Sequence, residues 1–275
     1  MFVDALSQLD PSYARSPNHR ALNWKELQDI FGYSKNGISD RTLNRHMATL
    51  KSLWAWAHDR EYCEGNNPFA GFHRKIVEGR NSAGYKPWQD SELKLIWSKP
   101  PKRKDLQEVM AVAMYTGMRL DEIASLTWEQ IKRDDEIDYI EVQGAKTGAG
   151  NRPVPLHAAL SWLPKRKPKS GTGRVWPKFN PEGPAKKAGA DAGNDFSRYK
   201  IGLGFSDRTK TFHSFRKTVT KQMERAGVRE NEWAEIIGHE KGFTFKTYNP
   251  DGLALSHKAA IIAKIVYPNL KLPRF

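Results

Sequence analysis

Four side chains near the C-terminus have the types and spacing to handle a phosphate. They lie in residues 211–249, TFHSFRKTVTKQMERAGVRENEWAEIIGHEKGFTFKTYN, as the clusters His213-Ser-Phe-Arg216 and Gly238-His239, with Tyr248 nine positions after His239. Between the clusters Phe215, Val219, Met223 and Ala226 recur at spacings of three and four, which predicts a helix. On it His213 and Arg216 share one face near the first turn. Free backbone N–H groups and the positive dipole end at a helix start suit an anion there. Each residue alone has a plainer reading: a histidine at a helix start commonly caps it, and a tyrosine after a Gly-His turn commonly packs.

A third cluster lies upstream. Thr116-Gly-Met-Arg119-Leu-Asp-Glu122-Ile-Ala-Ser-Leu126-Thr-Trp128 puts an arginine just after a turn glycine, ahead of a predicted helical face of Ile123, Leu126 and Ile131. Arg in TGxRxxEhxxLxW (h apolar), then HxxR, then GH, then a tyrosine nine residues after that histidine, resembles the tyrosine recombinases, or phage integrases. Each motif is weak alone; four in this order and spacing are specific.

The resemblance implies cleavage of a DNA phosphodiester without metal, cofactor or ATP. Such a reaction needs a nucleophile, charge on the non-bridging oxygens and a proton for the leaving oxygen. Tyr248 would be the nucleophile, its phenol of ordinary pKa near 10 making a better-stabilised oxyanion than an alkoxide. Arg119 and Arg216 would fork onto the non-bridging oxygens, a geometry lysine cannot match. Lys146, in Ala145-Lys146-Thr147-Gly148 of a predicted hairpin turn, stands where the family carries its catalytic lysine and would protonate the 5′-oxygen. His213 and His239 would hydrogen-bond the phosphate or assist proton transfer. The implied product is a 3′-phosphotyrosyl enzyme and a free 5′-hydroxyl, so rejoining needs no energy source.

Composition agrees with a polyanionic partner. The 275 residues carry 45 Lys and Arg against 31 Asp and Glu, net +14, with a sequence pI near 9.7. Apolar content suffices for a core. The single Cys63 excludes an internal disulfide framework and fits a reducing, cytoplasmic setting. Residues 1–10 lack a basic signal-peptide n-region, and the longest apolar patch, residues 259–266, is interrupted by Lys264. Nucleic acid is therefore the expected partner, and not a membrane; the resemblance makes it double-stranded DNA.

The elements that must position these groups follow from periodicity. Residues 1–38 read as loop and short helix, broken by Pro11, Pro17, Gly32 and Gly37. Ser39 or Asp40 caps a predicted helix to residue 60, with an apolar stripe of Leu43, Met47, Leu50, Leu53, Trp54 and Ala57 and a basic face of Arg41, Arg45, His46, Lys51 and Arg60. Helices are predicted from Asp90 through Trp97 and over residues 105–115, strands over 138–142 and 152–156 with a glycine-rich turn between. A last amphipathic helix spans residues 253–266, with Leu255, Ala259, Ile262 and Val266 inward. The basic stretch 164–196 reads as a long loop, suited to phosphate contact or to disorder without DNA.

The expected fold is mainly α with a small antiparallel β-sheet. By resemblance, residues 1–73 form a helical core-binding domain, incomplete at its N-terminus if an arm-binding domain has been removed. Residues 74–87 form a linker along the DNA, and residues 88–275 a catalytic domain ending in an exchange helix and tail. DNA contacts are expected from Arg41, Arg45, Lys51, Arg74, Lys75 and Arg80. The family also implies a homotetramer on DNA exchanging C-terminal segments, accessory DNA-bending proteins, and a bacterial or phage-encoded, nucleoid-associated mobile-element function. Lys217 departs from a second histidine found in many members. Three other readings are a type IB topoisomerase, argued against by the core-binding resemblance, an idle DNA-binding protein, argued against by the complete set Arg119, Arg216 and Tyr248, and a metal nuclease, for which no ligand spacing is visible.

Overall fold

Ser39 accepts a hydrogen bond from the Thr42 amide and starts a helix at Asp40–His58, here α4. Before it come three short helices, α1 (Phe2–Ser7), α2 (Pro17–Arg20) and α3 (Trp24–Phe31), the last closed by an Asn23–Glu26 capping box. Leu6, Leu9, Ile38, Leu43 and Met47 form their small shared core. In this computed structural model the described residues are 2–35, 37–76, 84–143, 151–183, 185–239, 252–268 and 270–275. The chain divides into two units, Met1–Gly84 and Tyr85–Phe275.

The apolar stripe of α4 is shorter than its sequence pattern. Leu43 and Met47 are buried and Leu50, Trp54 and Ala57 half-buried, but Leu53 is 57% exposed. The first unit is too thin to cover the last turns of a helix this long. The basic face divides as well. Arg41 and Arg45, one turn apart, are both exposed, whereas Lys51, though exposed, lies about 120° round the helix from Arg45. His46 points inward and meets the Tyr13 hydroxyl at 2.7 Å. Arg74 is bonded to Asn44 through its backbone and pairs with Asp40 at 3.4 Å and Asp4 at 3.7 Å, so it ties the end of this unit to α4. Lys75 is exposed, and Arg80 lies outside the described residues.

The larger unit is built around α6 (Lys104–Thr116), whose residues from Val109 to Thr116 are all buried. Against it pack α7 (Leu120–Ala124), α9 (Ala188–Gly202) and α10 (His213–Arg225), and α5 (Asp90–Ser98), whose Trp97 donates to Met114. The unit also holds α8 (Trp162–Lys165), α11 (Glu230–Ile237) and α12 (Leu255–Ile262). Trp88, Phe196, Phe212 and Phe215 form an aromatic cluster behind α10, each burial contributing roughly 1.5–3 kcal/mol. No described helix is long and apolar enough to cross a membrane.

The sheet is antiparallel in the order β1 (Ile131–Asp134), β2 (Ile137–Val142), β3 (Arg152–Pro155). Three strands are therefore present where the pattern predicted two. Ile131, expected on a helical face after Arg119, opens β1 instead, because α7 ends at Ala124. The β2–β3 pairing ends at Val142 opposite Arg152. Lys146 itself lies outside the described residues.

The stretch 164–196 is not a loop throughout. Trp176 and Phe179 are core residues, and α9 begins at Ala188. Its Ala/Gly-rich start masks the helical period. Gly189 is small for a reason: a β-carbon there would stand 2.7 Å from the Asp121 Cα, so α9 packs backbone-close on α7. Of the basic residues in the stretch, Arg166 neutralises the buried Glu108 at 2.7 Å, and Lys167 donates to the Ile131 carbonyl. At the other end Lys258, Ile261, Ile262 and Ile265 face inward, while Val266, expected inward, is 56% exposed. The tail lies on its own unit, with the Tyr267 hydroxyl donating to the Met114 carbonyl and Phe275 against Trp97 and Trp162.

Candidate active site

The site is organised on the C-terminal end of α11. A helix end leaves its last carbonyls without intrahelical partners and carries the negative pole of the dipole. Three arginines from three other elements fill that end in order. Arg152 Nε donates to the Ile236 carbonyl at 2.7 Å, Arg216 Nη1 to Ile237 at 2.5 Å, and Arg119 Nη2 to Gly238 at 2.9 Å. Gly238 closes the helix in the left-handed region, φ 72°, which glycine adopts without strain. His239 follows, with its amide returned to the Ala234 carbonyl at 2.8 Å.

Arg119 is the N-cap of α7. Its amide donates to Glu122 Oε2 and its Nη1 to Oε1, both at 2.9 Å. Arg152, buried at the start of β3, grips the same carboxylate, with Nη2 to Oε2 at 3.0 Å and Nη1 to Oε1 at 3.4 Å. Burial would raise the Glu122 pKa, but the Arg152 bond and charge and the Arg119 bonds outweigh it and hold the carboxyl below its usual range. Glu122 is thus an anion shared by two guanidiniums.

Arg216, 3% exposed, comes from the first turn of α10. Its Nη1 also donates to the Gly117 carbonyl at 2.8 Å, while its Nε and Nη2 find no partner among the described residues. Unsatisfied donors on a buried cation are costly and ask for an anion. Burial, then the Arg119 and Arg152 charges, push the Arg216 pKa down to about 9, still charged at neutral pH.

His213, in the first turn of α10, lies with its ring 5.0 Å from that of Tyr85, and His239 lies edge-on to Trp233 at 5.8 Å. Burial first, then the neighbouring Arg216, brings both imidazoles down to about 4, so both are neutral at pH 7. The assembled site is a cationic pocket with two neutral imidazoles beside it, a receptor for one tetrahedral oxyanion. Among the described residues no group of three or more His, Cys, Asp or Glu could hold a metal.

Arg119, His213, Arg216 and His239, named from sequence, are therefore brought to one place. Tyr248, like Lys146, lies outside the described residues. Sequence reasoning gave no role to Glu122, Arg152 or Tyr85. Glu122 stands inside the Arg119 motif and Arg152 opens the second predicted strand, but their pairing joins residues thirty apart and only the fold reveals it.

The profile of the phage integrase family matches residues 91–251, more than half of the chain. The chain belongs to the phage integrase family. It is accordingly a DNA strand breaking and rejoining enzyme. Solved structures of the same fold include a dimer of lambda integrase bound to a COC′ core site, 16% identical, covering 74% of this chain and 74% of that one with a TM-score of 0.54. A lambda integrase tetramer bound to a Holliday junction is 18% identical over 84% of this chain and 76% of that one, TM-score 0.53. The Tn1549 transposon integrase in complex with circular intermediate DNA is 18% identical over 93% of this chain and 97% of that one, TM-score 0.54. No curated protein matches the chain in sequence.

Proposed function

We propose that this integrase recombines double-stranded DNA at specific sites through a 3′-phosphotyrosyl intermediate, moving a phage or another mobile element. The observation that carries the reading is Arg216, a buried guanidinium held at one nitrogen by two carbonyls, with its Nε and Nη2 given no partner by the described residues, beside Arg119. Such preorganised charge is often the largest catalytic term. The scissile phosphate sits against Arg119 and Arg216, and the neutral His213 and His239 donate to its oxygens. The Tyr248 phenol releases its proton to solvent as its oxygen bonds to phosphorus and the P–O5′ bond breaks, and Lys146 gives its proton to the leaving 5′-oxygen. Reversal with another strand's 5′-hydroxyl restores a phosphodiester and frees the tyrosine.

Arg41 and Arg45 on the open face of α4 supply phosphate contacts, with Lys75, Arg80 and Lys51. Arg74, committed to Asp4 and Asp40, contributes less than its position in the sequence suggests. The relatives solved on DNA as a dimer and a tetramer support a homotetramer on the recombination site. Exchange of C-terminal segments then requires the tail to leave the bed it occupies against Trp97 and Trp162. Accessory DNA-bending proteins and a cytoplasmic, nucleoid-associated location complete the reading.

Incubation with nicked suicide DNA tests it. Wild type should form a covalent protein–DNA adduct, and Tyr248→Phe should bind the DNA without forming one. Adduct formation by Tyr248→Phe would remove the nucleophile assignment.

A further inference from the structure

We infer that Arg152 is a positioning residue of strand cleavage, setting the Arg119 guanidinium through Glu122 and the end of α11. The inference rests on the proposed role of Arg119 at the scissile phosphate.

The contacts assign that role by their bookkeeping of charge and direction. Each Glu122 oxygen serves both arginines: Oε1 accepts from Arg119 Nη1 and Arg152 Nη1, and Oε2 from the Arg119 amide and Arg152 Nη2. Arg152 thereby fixes the carboxylate plane from the buried side, its own side chain 3% exposed against 45% for Arg119. It also supplies the counter-charge. Without it Glu122 and Arg119 would neutralise one another, leaving Arg119 no net charge to add to that of Arg216. Its Nε holds the Ile236 carbonyl, two residues before the Gly238 carbonyl that orients Arg119 from the other side. One guanidinium thus sets both supports of Arg119. Lysine carries the charge without the fork.

The test is single-turnover cleavage of nicked DNA by Arg152→Lys, with Kd for DNA and Tm measured alongside. Two substrates are compared, the natural phosphodiester and one whose scissile non-bridging oxygen is replaced by methyl, a linkage neutral in the ground state that leaves one charge fewer for Arg119 to stabilise. Arg152→Lys should cleave the natural linkage about 10- to 100-fold more slowly, with Kd little changed, and should match wild type on the neutral one. Arg119→Ala should show the same pattern more strongly. Arg152→Lys at wild-type rate on phosphate, or equally slowed on both linkages, overturns the inference. Arg119→Ala at wild-type rate on phosphate overturns instead the reading of the site. Should Arg152→Lys not fold, the pair Arg152→Gln/Glu122→Gln leaves no unpaired buried charge and faces the same two substrates.

Discussion

Gly238 and Arg152 are in direct contact: a β-carbon on the glycine would stand 2.7 Å from the arginine Nη1 and 2.8 Å from its Cζ. The guanidinium lies where any other residue's side chain would start, at a backbone φ of 72°. The glycine of the Gly-His pair is therefore set by the packing of a neighbouring cation as well as by the helix end it closes.

Gly238→Ala should cost about 1–3 kcal/mol of stability from backbone strain, with further loss as Arg152 is displaced. Cleavage should fall by more than the folded fraction accounts for, because the carbonyl that orients Arg119 moves too. Urea denaturation and single-turnover cleavage measure the two effects; a variant unchanged in both would show that the contact relaxes without consequence.

His213 and His239 take up protons near pH 4 in the folded chain and near pH 6.5 when unfolded. Between those values the unfolded state binds more protons, so stability should rise with pH from about 4 to about 6.5 and level off above. Urea midpoints across that range, for wild type and for His213→Asn/His239→Asn, measure the contribution. An equal slope in both proteins would mean the imidazoles are not held neutral by the fold.

If Lys146 protonates the 5′-oxygen, Lys146→Ala should be rescued by sulfur at the bridging 5′ position, since a thiol of ordinary pKa near 8.5 departs without a donor. Arg119→Ala should gain little, its task being charge on the non-bridging oxygens. Cleavage rates of both variants on both substrates decide it. A Lys146 variant equally slow on oxygen and sulfur would transfer the proton to another donor, His213 first.

The α11–α12 junction rests on a buried pair, Lys258 to Glu235 at 2.8 Å, with the Leu253 amide on the same carboxylate. Removing one partner of a buried pair leaves a stranded charge, so Lys258→Ala should destabilise by about 3–5 kcal/mol, whereas Lys258→Met/Glu235→Leu should lose much less. Thermal unfolding of the two variants gives the comparison. A double variant as unstable as the single would mean that packing, and not charge, sets the loss.

Much of this arrangement was legible in the sequence wherever local rules dominate. The Ser39 cap, the helix α6 over residues 105–115 and the order of Arg119, His213, Arg216 and His239 are local or motif properties, and each falls where the spacing puts it. What escaped depends on tertiary contact. Helix α9 hides behind small residues chosen for close approach to Asp121, and β1 is too short to show an alternation. Leu53 and Val266 fit the helical period, but the units offer no surface to cover them. Arg152 read as a strand residue beside a hairpin; its burial against Glu122 follows only once β3 packs on α11 and the side chain reaches α7.

Mounting three cations on successive carbonyls of one short helix has a dynamic consequence. Small displacements of α11 carry the three guanidiniums together, so their mutual distances vary less than their absolute positions do. The geometry offered to a tetrahedral anion is insulated from ordinary breathing of the fold. The same linkage makes failure concerted: if the last turn of α11 opens, all three anchors are lost in one local unfolding event. Heating should then reduce activity by thinning the competent population, while the molecules still closed keep their full intrinsic rate.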